Sequence, residues 1–278
     1  MSADYKLVPY GISDFEQVRK ENKYLVDKTM FFEKMERAGN FLFLVRPCRF
    51  GKSLFLDMLE SYYDINQKDN FQELFKGLYV ADHPTKEQGQ FQVLHLDFSL
   101  VGSDLENLYE NFNRYCCNVM DSFIDDYKNY YSPRVVEWVH REKTAASKLN
   151  IVRMEAKKAE NKLYLIVDEY DNFTNNVLNV KGQQAYHELT HGTGFYRDIF
   201  KLFKPMFHRI IMLGVSPITL DDLTSGYNIA LNMSLDARFN QMLGFSEAEV
   251  RQMIRYYKEV GAIGDDKTED DIIADMKP

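Results

Sequence analysis

The run Arg46-Pro47-Cys48-Arg49-Phe50-Gly51-Lys52-Ser53 puts a flexible residue, a long cation and a short hydroxyl in succession. That order suits phosphate. Glycine lets backbone approach an anion without a Cβ in the way, and N–H groups at a helix start point at it with the helix dipole behind them. Lys52 would reach the β- and γ-phosphates of ATP, and the Ser53 hydroxyl would hold Mg²⁺. The usual pattern has Gly where Arg46 stands, and Pro47 stiffens φ just after it. Arg46 and Arg49 add positive charge for phosphate oxygens. The predicted nucleotide contacts are Arg46, Pro47, Cys48, Arg49, Phe50, Gly51, Lys52, Ser53 and Leu54.

A second set of residues closes the apolar run Leu163–Val167 with Asp168-Glu169. A strand of this kind delivers carboxylates to the C-terminal edge of a parallel sheet, where ligands bind. Asp168 is expected to position Mg²⁺, directly or through water. Glu169 is expected to orient or polarise the attacking water, since phosphoryl transfer needs mainly positioning and charge stabilisation. Glu directly after that Asp marks the branch of P-loop ATPases with an additional strand between the loop strand and the acidic strand. Residues Arg209–Gly214 fit that strand, with Ser216 at its polar end as the sensor touching the γ-phosphate or the water. Arg238, in Asp236-Ala237-Arg238-Phe239, is either a transition-state arginine or a surface residue in a turn. The predicted catalytic set is Lys52, Glu169, Ser216 and Arg238, and the predicted metal set is Ser53 and Asp168.

These residues need strands and helices to hold them. Phe41–Val45 is a continuous apolar run of strand length, suited to burial on both faces. From Gly51 to Tyr63, apolar residues recur at helical spacing. Further strands are predicted at Val93–Phe98, Leu163–Val167 and Arg209–Gly214, with a short fifth near Phe239–Leu243. Helices are predicted near Asp14–Glu21, around Phe31–Met35 and over Leu105–Tyr130. The charged stretch Pro133–Asn161 reads as helical and surface-lying. Gly182–His208 has helical spacing broken at Gly192 and Gly194. Ser246 and Glu249 read as a capping box. Strands separated by helices predict an α/β fold with a mainly parallel sheet between helices. The organisation expected is an N-terminal segment over 1–39, a P-loop core over 40–245 and the start of a helical lid or following domain over 246–278. No domain end is visible there, so a truncated chain is expected.

Composition narrows the class. A chain of 278 residues with 45% hydrophobic residues is an ordinary globular protein. A net charge of -8 does not indicate nucleic acid as partner, because such binding rests on neutralising phosphates. The basic stretch Arg134–Lys162 is the one local candidate for such a contact, with a solvated helix face as the alternative. Cys48, Cys116 and Cys117 read as free thiols, and neither a signal peptide nor a membrane span is visible, so a cytoplasmic protein is expected. Asp27 and Lys28 read as a surface pair, with a place in the nucleotide site as the alternative. His187 and His191 have no third metal ligand in view.

Phe43–Leu56, Tyr24–Thr29, Leu165–Asp171, Gly214–Thr219 and Leu223–Asn228 together resemble the bacterial AAA-ATPase-like family. In that family Arg commonly stands where Arg46 stands, whereas Cys48 replaces a usual Arg. The resemblance implies an ATPase module. It also implies a C-terminal nuclease-like domain of the restriction-endonuclease superfamily, which this chain ends before reaching. The expected function is an ATP-binding, ATP-hydrolysing switch. A nucleotide-binding module without turnover, and the regulatory part of a nucleic-acid-processing protein, are the alternatives. Oligomeric state is not legible.

Overall fold

The computed structural model describes residues 5–102, 106–191, 194–216, 230–264 and 266–276. Its frame is a single sheet of β1 (Phe41–Val45), β2 (Phe91–Asp97), β3 (Lys162–Asp168), β4 (Arg209–Gly214) and the short β5 (Leu231–Asn232). The order is β2-β3-β4-β1-β5, and every pairing is parallel. The strand inserted between the loop strand β1 and the acidic strand β3 is therefore β4, as the Asp168-Glu169 pair predicts. All C-terminal strand ends share one edge. Asp97 lies in register with Asp168, and Val45 with Gly214.

The continuous apolar runs follow from burial on both faces. Along β3, Leu163, Leu165 and Val167 join one core while Tyr164 and Ile166 join the other. Along β4, Ile210 and Met212 split from Ile211 and Leu213 in the same way. One face is covered by α1 (Phe15–Lys20), α2 (Phe31–Ala38), α3 (Lys52–Tyr63) and the single turns α4 (Phe71–Leu74) and α5 (Tyr79–Asp82). The other is covered by α6 (Leu108–Asp126), α7 (Pro133–Arg141), α8 (Ala145–Lys158), α9 (Asn172–Thr190) and α10 (Phe195–Met206). Two helices close the chain, α11 (Glu247–Glu259) and α12 (Glu269–Met276), and Ser246 with Glu249 forms the predicted capping box.

Four expectations are corrected. The fifth strand is not at Phe239–Leu243 but at Leu231–Asn232, beside Leu42 and Phe43. Asp236 accepts from the Arg238 N–H and winds residues 237–239 into a 3₁₀ turn, so Phe239, Met242 and Leu243 enter the core without a strand ladder. Pro133–Asn161 is not merely surface-lying, because Val139, Leu149, Val152 and Ala156 are core residues there. The helical structure predicted from Gly182 is preceded by a further helical stretch from Asn172, and Gly182, non-helical at φ 82° and ψ -177°, is the break between the two parts of α9; the predicted break at Gly192 lies outside the described residues. Lys28 is not a surface residue. It is 7% exposed and donates to Glu249 Oε1 at 2.6 Å and to the Gln241 carbonyl at 2.8 Å.

Among the described residues no helix is long and apolar enough to cross a membrane.

Candidate functional site

The site lies where β1, β3 and β4 end and α3 begins. Gly51 takes φ 79°, ψ 23°, a left-handed turn that releases the loop into α3. No side chain caps the α3 N-terminus, so its first N–H groups are left for an external acceptor. Arg49 is also left-handed at φ 67°. Pro47, Cys48, Arg49 and Phe50 are exposed, whereas Leu54 leans on the core.

Lys52 is 5% exposed, and its Nζ folds back on its own loop, 3.4 Å from the Arg46 carbonyl and 3.3 Å from that of Pro47. It also lies 3.3 Å from Glu169 Oε1. The Ser53 hydroxyl donates to Asp168 Oδ2 at 2.6 Å. The structure thus brings Lys52, Ser53, Asp168 and Glu169 together from two elements more than a hundred residues apart in sequence. Arg46 bonds to the backbone at the end of β1. Its Nη1 donates to the Val45 carbonyl at 3.0 Å, while its backbone N–H extends the β1–β4 ladder to Gly214.

Electrostatics fit a cation beside Asp168. Burial first, then the charge of neighbouring Asp97, pushes Asp168 above its ordinary value, against the pull of Ser53 and the Glu169 N–H. Burial also raises Glu169, opposed by Lys52. An all-oxygen pair such as Ser53 and Asp168 has the chemistry that Mg²⁺ takes.

Ser216 sits beyond β4. Its N–H donates to Asp171 Oδ2 at 2.6 Å, and its carbonyl accepts from the Tyr170 hydroxyl at 2.6 Å. Residues 217–229, including Pro217–Thr219 and Leu223–Asn228, lie outside the described residues. Arg238 pairs with Asp236, Nη2 to Oδ2 at 2.5 Å, and its side chain is 60% exposed. The loop also touches the C-terminal part of the chain: the Gly244 N–H donates to the Phe50 carbonyl at 3.0 Å.

A cleft of about 390 Å³ opens beside Ser53 and Asp168, lined further by Asp57, Glu60, His95, Asp97 and Tyr115. Sequence reading missed these residues. Ser53, Asp57 and Glu60 follow helical spacing along α3, and His95 and Asp97 alternate along β2, so periodicity held the signal. His95 Nδ1 lies 2.7 Å from Glu60 Oε2. Burial pushes the His95 imidazole down, but Glu60, Asp168 and Asp57 outweigh it and raise it overall.

Asp57 Oδ2 accepts from the Phe15 N–H at 2.6 Å. Burial, with the charges of Glu60 and Asp14, pushes its carboxyl up to about 6 from an ordinary 3.8. A carboxyl raised by folding binds its proton more tightly in the folded state. The stability it confers is present below the ordinary value and is lost as pH rises through about 6. Asp57→Asn keeps an acceptor for Phe15 and removes the charge. We expect its Tm advantage over the native chain to grow by roughly 2–5 °C between pH 5 and pH 7.5. Thermal melts at both values check this, and a gap of constant size would count against it.

Residues 9–224 match the AAA-ATPase-like family, described as predicted AAA-ATPases. Among curated proteins, the chain is similar to the uncharacterized protein in the vnfD 5' region of Azotobacter chroococcum mcd 1, 26% identical over 249 residues. That alignment takes in 88% of this chain and 44% of the relative, so the chain spans less than half of the relative's length. No solved structure matches it. With most of its length inside the family match, and with the sheet order of a P-loop NTPase, the chain belongs to the AAA-ATPase-like family.

Proposed function

We propose that the chain binds ATP on the loop 46–54 and hydrolyses it, acting as a nucleotide-dependent switch. The observation that carries this reading is the 2.6 Å contact between Ser53 Oγ and Asp168 Oδ2. A phosphate-loop hydroxyl and a strand-end carboxylate are already within reach of a common ligand. Ser53 and Asp168 would hold Mg²⁺, which when bound neutralises charge on the phosphate oxygens. Lys52, buried at the loop, supplies positive charge to the β- and γ-phosphates, and the uncapped N–H groups of α3 add their donors. Glu169 orients the attacking water and Ser216 reports on the γ-phosphate. For that, Glu169 must leave Lys52, a trade that the arriving phosphate makes by taking the cation. The contact between Phe50 and Gly244 supports the switch role, because it joins the phosphate loop to the segment before α11.

The test compares native protein with Glu169→Gln for MgATP affinity and phosphate release. We expect affinity to stay close to native and release to fall about 100-fold or more, the scale of losing a positioned catalytic group. If the native chain gains no stability at millimolar ATP, the reading fails. Binding without release would leave a holding module in place of an ATPase.

A further inference from the structure

We propose that Asp171 is a positioning residue that locks the end of β4 to the end of β3, so that Ser216 and Glu169 move as one body. The inference rests on the ATP-hydrolysing reading above. It starts from a backbone feature. Glu169 has φ 47°, a left-handed conformation that a side chain other than glycine rarely adopts and that needs support from its surroundings. This reversal sends successive side chains to different places. Glu169 turns to Lys52, while Tyr170 and Asp171 turn to β4.

The contacts there form a closed clamp. The Tyr170 N–H donates to the Leu213 carbonyl at 3.2 Å. Asp171 Oδ1 accepts from the Val215 N–H at 3.1 Å, and Oδ2 accepts from the Ser216 N–H at 2.6 Å and from Asn175 Nδ2 at 3.0 Å. The Tyr170 hydroxyl returns to the Ser216 carbonyl, and the Tyr196 hydroxyl donates to the Tyr170 carbonyl. Asp171 is 1% exposed and Tyr170 fully buried. Releasing the end of β4 would strand a buried carboxylate without its N–H donors, which is costly.

The turn that aims Glu169 and the anchor that holds Ser216 are therefore the same three residues, 169–171. A γ-phosphate that displaces Ser216 would drag Asp171 and rotate the Glu169 turn with it. Loosening the clamp should leave phosphate binding at Lys52 and Ser53 intact and misplace Glu169, and misplacement of about 1 Å costs on the order of 100-fold in rate.

The experiment measures MgATP affinity and steady-state phosphate release in the full chain for native protein, Asp171→Asn and Tyr170→Phe. Asp171→Asn turns an NH₂ group or a weaker acceptor toward two N–H donors, whereas Tyr170→Phe removes a single hydroxyl and decides the matter if Asp171→Asn does not fold. Expected are affinities within about threefold of native, with release down about 100-fold for Asp171→Asn and about tenfold for Tyr170→Phe. Native release rates in the folded variants would overturn the inference and leave the ATPase reading standing. Affinity lost in proportion to rate would also overturn it, since that marks general loosening. A native chain that releases no phosphate would remove both.

Discussion

Lys52→Ala is expected to abolish nearly all ATP-dependent stabilisation of the protein. ATP at a hundred times its Kd would stabilise the native chain by about 2.7 kcal/mol, roughly 5–10 °C in Tm for a chain of this size. Lys52 is the cation at the centre of the loop, with its ammonium held among the Arg46 and Pro47 carbonyls and the Glu169 carboxylate. Without it, the loop keeps its α3 N–H groups but loses its buried positive charge, and Glu169 stands beside the phosphates unopposed. A hundredfold weaker Kd would cut the stabilisation at the same ATP concentration to about 0.4 kcal/mol. Differential scanning fluorimetry with and without MgATP checks this. A full shift in the Lys52→Ala protein would place the phosphate site elsewhere.

The second large effect is structural. Gly214→Ala is expected to destabilise the fold by about 3–5 kcal/mol, from overpacking together with lost hydrogen bonds to a buried charge. A Cβ there would clash with Asp171 Oδ1 and lie 2.6 Å from Tyr170 Cε1. Both side chains are buried, Asp171 held by several hydrogen bonds and Tyr170 through its hydroxyl, so neither has room to yield. Gly102→Ala is the control, because its added Cβ would meet Asn111 at an ordinary 3.8 Å. Urea unfolding of the two variants should separate them clearly. Equal midpoints would mean that the clamp at residues 169–171 gives way easily.

Much of this architecture is legible in the amino-acid sequence. The runs Phe41–Val45, Leu163–Val167 and Arg209–Gly214 are strands because both their faces are buried, and continuous apolarity is the local signature of that state. The inserted place of β4 was legible from two adjacent acids. The short β5 was not, because two residues carry no periodic signal and its pairing with Leu42 and Phe43 is purely tertiary. Lys28 read as surface since its partner Glu249 lies 221 residues away. The same holds for the cleft. Asp57, His95 and Asp97 look like scattered polar positions until β2 lies beside β3 and α3 packs against both strands. For Arg238 the partner is local: Asp236 is two residues away, within the same short motif.

The strand order carries a consequence for synthesis on the ribosome. β1 emerges early, but its neighbours in the sheet are β4 and β5, so Val45 waits for Gly214. Until residues 209–214 have left the exit tunnel, the strand that presents the phosphate loop has no partner on either side, while β2 and β3 can already pair. Closing so long a connection is slow relative to local folding. A nascent chain stalled before residue 209 would hold the whole of Arg46–Leu54 and still have no rigid floor under it.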